Sequence, residues 1–225
     1  MSDLKSQLVN IQHLFIDRFN NTGNEIQEPG IDRFNYNGWI NKIWSGKLYR
    51  RAHLNIVDAS DSNGLWMLHC CIFPHIHNPA PIFGCDIVAG RNKITGFFHD
   101  YSPAGNPNHP MIESFGSEVG MLTWDKVREI PEWGQKIFSP HMIAASNIQK
   151  DSEIAQIINT IDLTSKHYLA NVASTNNTVK STVEAQNFYA VQQKQIPHTP
   201  RVMAALGLNE EDVRLFVHEC LFPEI

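Results

Sequence analysis

The chain lacks the sequence patterns that mark the common nucleotide and metal enzymes. Its 225 residues contain no glycine-rich dinucleotide fingerprint, no phosphate-binding loop, no GxSxG elbow and no HExxH helix. The four cysteines form no CxxC pair, so we expect free, reduced thiols rather than a disulfide framework. These absences argue against a nicotinamide or nucleotide enzyme of the usual kinds and against a zinc site of standard spacing.

Neither the charge nor the hydrophobic runs point to a nucleic acid or a membrane as partner. The formal net charge is −5, which gives no support for general nucleic-acid binding. No apolar run approaches the ~20 residues of a membrane span, and the first residues, MSDLKSQL, are too polar for a signal peptide. The 42% hydrophobic content is enough for one well-filled core, so we expect a single domain over residues 1–225.

Hydrophobic periodicity predicts a central sheet with helices at both ends of the chain. Apolar residues recur at helical spacing over Leu4–Phe19. Strands are expected over Gly38–Trp44, Lys47–Val57, Leu65–Phe73, Ile82–Ala89, Lys93–Tyr101 and Ile137–Ala145, and further helices over Asp151–Val172, Asn177–Gln193, Thr199–Leu206 and Asn209–Leu221. Turns rather than crossover helices join the strands, so the sheet should be antiparallel. The predicted fold class is α/β, a three-layer α/β/α sandwich.

One hairpin carries the strongest functional signal. The stretch Leu65–Ala89 has two apolar runs around a loop with three prolines, and the runs are centred on His69 and Asp86. If the runs pair about the middle of the loop, these two residues lie opposite each other, on one face, with Cβ atoms roughly 4.5–5.5 Å apart. An imidazole and a carboxylate so placed can exchange protons with a bound molecule. Gly84, beside them, leaves room for a flat ligand.

Two other interpretations of this stretch stay open. The His–Asp pair can be only a satisfied contact in the core. The neighbouring cysteines, with His75 and His77, also suggest the hypothesis of a metal site, and with it that of a metal-dependent hydrolase. However, the spacings match no standard zinc site, and strand alternation places Cys70 and Cys71 on opposite faces. We therefore predict no metal ligands.

With the hairpin in place, the chain resembles the ferredoxin-dependent bilin reductases. The likeness is greatest to the phycocyanobilin:ferredoxin oxidoreductase branch and, within it, to phage-type phycoerythrobilin synthases. The matching segments are Arg51–Leu54, Leu68–Cys70, Ile72–Pro74, FGCDIVAG at Phe83–Gly90, Asp100–Pro103, REIPEWG at Arg128–Gly134, Ile137–Ser139 and Leu221–Phe222. They run across most of the chain in the family's order, and FGCD together with REIPEWG is specific.

The resemblance implies a binding site, an electron donor and a location. Biliverdin IXα would bind between the sheet and the C-terminal helices. Electrons would come one at a time from reduced [2Fe-2S] ferredoxin, and the protein would have no cofactor of its own. It implies a cytoplasmic monomer, in the host cytoplasm if the source is viral. Ferredoxins are generally acidic, so we expect a local basic patch. The candidates for this patch are Lys42, Lys47, Arg50, Arg51, Arg91 and Lys93.

The resemblance also implies roles for individual residues. His69 and Asp86 match the family's central proton-donating pair, and His53 matches a histidine that holds the proton network. Thr95 and Arg128 match positions that hold the propionates. The predicted substrate-binding residues are thus His53, Asn55, Thr95, Arg128 and His198, with His69 and Asp86 as the catalytic ones.

Three departures from the family pattern bear on the product. Asn55 replaces a glutamate of the phycocyanobilin-forming members, Pro197 replaces an acidic residue, and His198 replaces a lysine of the propionate region. Loss of the glutamate argues against reduction of the D-ring vinyl group. We therefore expect two two-electron reductions to phycoerythrobilin through 15,16-dihydrobiliverdin. Phycocyanobilin as product, or a tetrapyrrole-binding protein without catalysis, stays the alternative.

Overall fold

The sheet at the centre of the protein contains seven antiparallel strands. The structure is a computed structural model that describes residues 4–35, 38–173 and 179–225. Strand order in space follows strand order in sequence, from β1 to β7, and every neighbouring pair is antiparallel. The strands are β1 (Asn24–Ile26), β2 (Ile40–Ser45), β3 (Arg51–Ala59), β4 (Leu65–Phe73), β5 (Ile82–Ala89), β6 (Ile94–Ser102) and β7 (Ile143–Ile148). The expected antiparallel sheet is confirmed.

Helices cover both faces of this sheet. One layer contains α1 (Leu4–Thr22), α2 (Pro110–Val119) and α4 (Asp151–Asn171). Helix α4 contacts both α1 and α2, and the three helices pack on strands β3, β5 and β6. The other layer contains α5 (Val183–Gln193), α6 (His198–Ala205) and α7 (Glu210–Leu215), and α7 continues into a π-helical turn over Phe216–Leu221. Apolar side chains of this second layer pack on Ile43, Val57 and Met67. The three-layer α/β/α sandwich is therefore confirmed.

The larger core lies between the sheet and the first layer. Leu8, Ile11, Phe15 and Phe19 are the buried residues of α1, at the spacing that the sequence predicts. They pack with aromatic side chains of the sheet, and Phe15 meets Phe83 edge-on at 6.1 Å between ring centroids. Burying such side chains contributes about 1.5–3 kcal/mol each. This face of the sheet is thus filled, and the room for a ligand lies on the other face.

Several predicted boundaries differ from the structure. Strand β1 and helices α2 and α3 (Glu132–Gln135) lie in stretches for which the sequence predicted no strand or helix. The last strand begins at Ile143 rather than Ile137. Helix α5 begins at Val183, whereas the start predicted at Asn177 lies outside the described residues. Helix α2 begins after His109, whose Nδ1 accepts a hydrogen bond from the Met111 amide, with Pro110 at the first position.

Within the described ranges, none of the helices combines the length and the apolar character that crossing a bilayer requires.

Candidate active site between the sheet and the C-terminal helices

The hairpin of β4 and β5 brings His69 and Asp86 together as the sequence predicts. The two residues are directly opposed in the register, with Met67 and Val88 flanking them on one side and Cys71 and Gly84 on the other. Nδ1 of His69 lies 2.8 Å from Oδ1 of Asp86. Because a carboxylate oxygen can only accept, Nδ1 carries the proton when Asp86 is ionised.

Asp86 faces a cavity of about 360 Å³ between the sheet and the second helical layer. Along β5, burial alternates: Gly84, Asp86 and Val88 are half-buried and line the cavity, while their neighbours in the strand are fully buried. The Asp86 side chain is 39% exposed and that of His69 only 10%. The carboxyl can therefore touch a ligand, while the imidazole lies behind it.

Behind His69 lies a second histidine that is fully enclosed. The ring centroids of His53 and His69 are 5.6 Å apart, and Phe222 meets His69 edge-on at 5.3 Å. Burial first, and then the nearby Arg51 and His69, lower the pKa of His53 well below 6.5, so its ring is neutral. His53 Nδ1 and His69 Nε2 are buried without a hydrogen-bond partner among the described groups. Each of these two adjacent rings thus has one nitrogen that makes no hydrogen bond to a described group.

Arg128 is positioned at the rim of the cavity by the outer edge of the sheet. Its backbone amide donates to the Ala144 carbonyl of β7 at 2.8 Å. Its Nη2 donates to the Thr95 carbonyl at 3.0 Å, and its guanidinium lies 5.6 Å from the Phe98 ring centroid. The side chain is exposed and lines the cavity, so its remaining donors can reach a carboxylate there.

The other predicted substrate-binding residues lie in different places. His198 is exposed, begins α6 and lines the cavity. Thr95 is not among the lining residues, since its hydroxyl donates to the Val88 carbonyl at 3.0 Å. His53 and Asn55 are buried behind the lining, and Asn55 Nδ2 donates to the Ile40 carbonyl at 3.2 Å. Asn55 is the register partner of His69 on β3.

A buried carboxyl that the sequence did not single out anchors one wall. Asp100 accepts hydrogen bonds from the Ser139 amide at 2.9 Å, from the Ser139 hydroxyl and from the Ser102 hydroxyl at 2.7 Å. Burial raises the pKa of Asp100, although these donors act in the opposite direction. The contacts tie the Glu132–Ser139 segment, with Trp133 and Phe138, to the sheet. Asp100 is thus a lining residue whose oxygens are occupied.

Tyr189 forms part of the opposite wall and was also missed by sequence reasoning. It is buried on α5, and its hydroxyl accepts a hydrogen bond from Gln193 Nε2 at 2.8 Å. A Cβ at Gly84 would lie 3.3 Å from this hydroxyl, so glycine lets the helix approach the strand. Burial raises the pKa of Tyr189 well above 10, and the phenol stays protonated. No local pattern marks the residue, because α5 reaches the sheet only through the tertiary fold.

The cysteines and loop histidines do not gather into a metal site. His75 Nε2 lies 2.9 Å from the Gly46 carbonyl, and His77 Nδ1 lies 2.8 Å from that of Lys180. Within residues 4–35, 38–173 and 179–225, no three His, Cys, Asp or Glu side chains are arranged to hold an ion. All four cysteines are buried and free, and burial raises the pKa of Cys71 to about 12.

The predicted basic patch is only partly at the surface. Arg51 is 3% exposed and binds both carboxylate oxygens of Glu28, at 2.9 and 3.0 Å, so its assignment to a docking surface is wrong. The Arg50 guanidinium lies 4.6 Å from the Phe73 ring centroid and donates to a glutamine. Of the six candidates, Lys47 and Arg91 are exposed.

Comparison with known proteins gives one consistent result. The family model of the ferredoxin-dependent bilin reductases matches residues 10–223. Phycocyanobilin:ferredoxin oxidoreductase of Prochlorococcus marinus (strain MIT 9313) is 33% identical over 186 residues, which cover 78% of this chain and 67% of that protein. The protein of the same name from Trichodesmium erythraeum (strain IMS101) is 27% identical over 169 residues, which cover 72% of this chain and 67% of the Trichodesmium protein.

Two solved structures resemble the whole architecture. A protein named PcyX matches with a TM-score of 0.71 at 32% identity, over 97% of this chain and 99% of its own. Tomato phytochromobilin synthase, solved in complex with biliverdin, matches with a TM-score of 0.74 over 95% of this chain and 82% of its own. At 13% identity, the second likeness concerns the fold alone.

Proposed function

This chain belongs to the ferredoxin-dependent bilin reductase family, and on that premise we propose that it reduces biliverdin IXα to phycoerythrobilin. Two two-electron reductions pass through 15,16-dihydrobiliverdin, and a reduced [2Fe-2S] ferredoxin supplies the electrons singly. The protein acts as a cytoplasmic monomer without cofactor, nucleic-acid or membrane partner. With electrons coming from outside, its own tasks are to hold the tetrapyrrole and to deliver protons to chosen carbons.

The observation that carries the proposal is the Asp86–His69 pair at the cavity wall. Asp86 reaches the cavity while His69, at 2.8 Å, lies behind it in the core. When Asp86 has donated its proton to the pigment, His69 can therefore supply a new proton to Asp86 through the hydrogen bond between them. Asp100 and Glu129 also line the cavity. The oxygens of Asp100 accept from Ser102 and Ser139, and Glu129 is exposed, so the proposal assigns the acid to Asp86, to which His69 can return a proton.

Binding of the pigment uses both ends of the cavity. Arg128 and His198 at the rim hold the propionates, since a guanidinium fork suits a carboxylate. Gly84 and Tyr189 both line the cavity, and we expect the tetrapyrrole plane to lie against them. Thr95 supports this arrangement indirectly, because its carbonyl accepts from Arg128.

Asn55 supports phycoerythrobilin as the product. Reduction of a vinyl group needs an acid near the carbon that receives the proton, and an amide does not ionise usefully near neutral pH. Asn55 is also buried and donates to the Ile40 carbonyl. Protons from Asp86 then reach the methine bridge and afterwards the A-ring diene. The alternative product, phycocyanobilin, would require a vinyl-directed acid elsewhere in the cavity.

The matched variants Asn55→Glu and Asn55→Gln test this assignment. The glutamate restores an ionisable group opposite His69, so we expect part of the product to become vinyl-reduced. The glutamine has the same length without the acid, and phycoerythrobilin should remain its only product. Products are separated against bilin standards after anaerobic turnover. Vinyl-reduced product from Asn55→Gln would show that side-chain length rather than acidity controls the outcome.

A carrier without catalysis is the second candidate function. Bound biliverdin would then keep its absorption spectrum when reduced ferredoxin is added. We expect the spectrum to change, first to that of a substrate radical and then to that of the reduced bilin. Asp86 at the cavity, with His69 hydrogen-bonded behind it, favours catalysis.

A further inference from the structure

Asn41 on β2 links the two layers around the buried histidine. Its Oδ1 lies 2.6 Å from Nε2 of His53 and accepts a hydrogen bond from Sγ of Cys220 at 3.1 Å. Asn41 is 6% exposed and does not line the cavity. Asn35 holds its backbone from both sides, since Nδ2 of Asn35 donates to the Asn41 carbonyl and Oδ1 accepts from the Asn41 amide.

The orientation of the Asn41 amide follows from its partners. Its Nδ2 donates to the Ile31 carbonyl at 3.0 Å. A carbonyl can only accept, so the group facing Ile31 must be the NH₂ and the oxygen must face His53. The thiol of Cys220, a donor, approaches the same oxygen. Exchanging the two ends of the amide would place an oxygen against the Ile31 carbonyl and leave the thiol only the more distant Nε2 of His53, at 3.8 Å.

We propose that Asn41 is a positioning residue that holds His53 as its Nε2–H tautomer, so that His53 Nδ1 presents a lone pair as acceptor for the Nε2–H of His69. The inference deepens the proposed function and rests on the role given there to His69. An oxygen at 2.6 Å requires Nε2 of His53 to donate, and a neutral ring has only one N–H. The acceptor serves His69 directly or through one bridging water.

This arrangement decides which proton His69 gives away. When both nitrogens of His69 carry protons, Nδ1–H faces Asp86 and Nε2–H has the lone pair of His53 as acceptor. The Nδ1 proton then moves to a carboxylate oxygen of Asp86, and the Nε2 proton stays on His69. With the other tautomer of His53, its Nδ1–H would face the Nε2–H of His69, and neither donor would have an acceptor in the other ring. Asn41 thus acts through two rings on the residue that touches the pigment.

Burial first, and then the charges nearby, lower the pKa of His53 and keep its ring neutral, so that its tautomer matters. Arg51 is close on the same strand, and His69 lies on the neighbouring strand. From the C-terminal π-helical turn, Cys220 contributes a thiol, and burial raises the pKa of this thiol to about 12. Arg51 is paired with Glu28. No carboxylate hydrogen-bonds to His53 among the described groups.

The tautomer can be measured without substrate, by NMR of the full chain labelled with ¹⁵N in the histidine rings. Long-range proton–nitrogen correlations identify the protonated nitrogen, and His53→Gln assigns the signals. In the wild type we expect Nε2–H on His53. Asn41→Leu removes the acceptor at similar size, and the Nδ1–H form should appear. Cys220→Ala, the matched control, keeps Oδ1 of Asn41 and should leave the tautomer unchanged.

Each outcome decides the proposal. Wild-type His53 carrying Nδ1–H would overturn it whatever the variants do. So would an unchanged tautomer in Asn41→Leu with a folded backbone spectrum. If that variant does not fold, loss of Nε2–H in Cys220→Ala, which keeps the Asn41 acceptor, would also contradict the proposal.

A kinetic measurement separates positioning from structure. Turnover of biliverdin by Asn41→Leu should fall at least about tenfold, while its affinity for biliverdin stays as in the wild type. Turnover equal to the wild type would remove Asn41 from the mechanism. If the wild type itself does not reduce biliverdin, the proposed function fails, but the tautomer result still stands or falls by itself.

Discussion

Buried neutral histidines should make the folded protein sensitive to acid. Burial lowers the pKa of His99 from 6.5 to about 4 and that of His53 well below 6.5. Below pH 6.5 the histidines of the unfolded chain therefore bind protons that the buried rings of the folded protein do not bind. As the pH is lowered, the free energy of unfolding decreases. The slope is about 1.4 kcal/mol per pH unit for each ring. For His99 alone, we expect a loss of about 2 kcal/mol between roughly pH 7 and pH 5.

The variant His99→Gln isolates this contribution. The native ring places Nδ1 2.6 Å from the Gly84 carbonyl and Nε2 2.8 Å from the Thr164 hydroxyl, and a glutamine amide can replace the donor to Gly84. Urea unfolding gives, for each protein, the change in the free energy of unfolding between the two pH values. When the change in the variant is subtracted from that in the wild type, the contributions of all other titrating groups cancel. The acid-induced loss should be about 2 kcal/mol smaller in the variant. Equal losses would mean that His99 is charged in the folded state, and the reasoning for His53 would fail with it.

Three further predictions concern single residues. Asp86→Asn should bind biliverdin but reduce it about 10²–10⁴-fold more slowly, with a long-lived radical absorption, and full turnover would remove Asp86 from the mechanism. His69→Gln should slow product formation more than it weakens pigment binding, whereas an unchanged steady-state rate would make His69 a core histidine. Glu28→Ala leaves the buried Arg51 unpaired and should cost about 3 kcal/mol in urea unfolding. A cost below about 1 kcal/mol would show that the ion pair is dispensable.

The central hairpin could be predicted because its information is local. A proline-rich loop and two short apolar runs determine the β4–β5 register, and that register alone brings His69 opposite Asp86. Strand β1 was missed because its three residues are exposed and carry no alternating pattern. Helix α2 follows a proline-containing stretch and begins with Pro110, which argues against a helix interior although proline suits the first turn, and for this reason the helix was missed.

The rest of the site depends on contacts between distant parts of the chain. Asn41 and Cys220 are 179 residues apart, and only the return of the C-terminal segment over the sheet joins them at His53. Tyr189 likewise reaches Gly84 through the packing of α5. Basic residues in sequence could not be sorted by exposure, and Arg51 proved to be buried because Glu28 neutralises it from a neighbouring loop. Hydrophobic periodicity predicts which face of a helix or strand is buried, but it does not predict which other element packs against that face.

The central claim is that Asp86 and His69 serve a reduction that spares the D-ring vinyl group. The most direct measurement is one anaerobic reaction of the wild-type protein with biliverdin IXα and reduced ferredoxin, followed by separation of the bilins against standards. We expect 15,16-dihydrobiliverdin to appear first and phycoerythrobilin to be the final product. Phycocyanobilin as the main product would contradict the account, because its formation requires the vinyl-directed acid that Asn55 cannot provide.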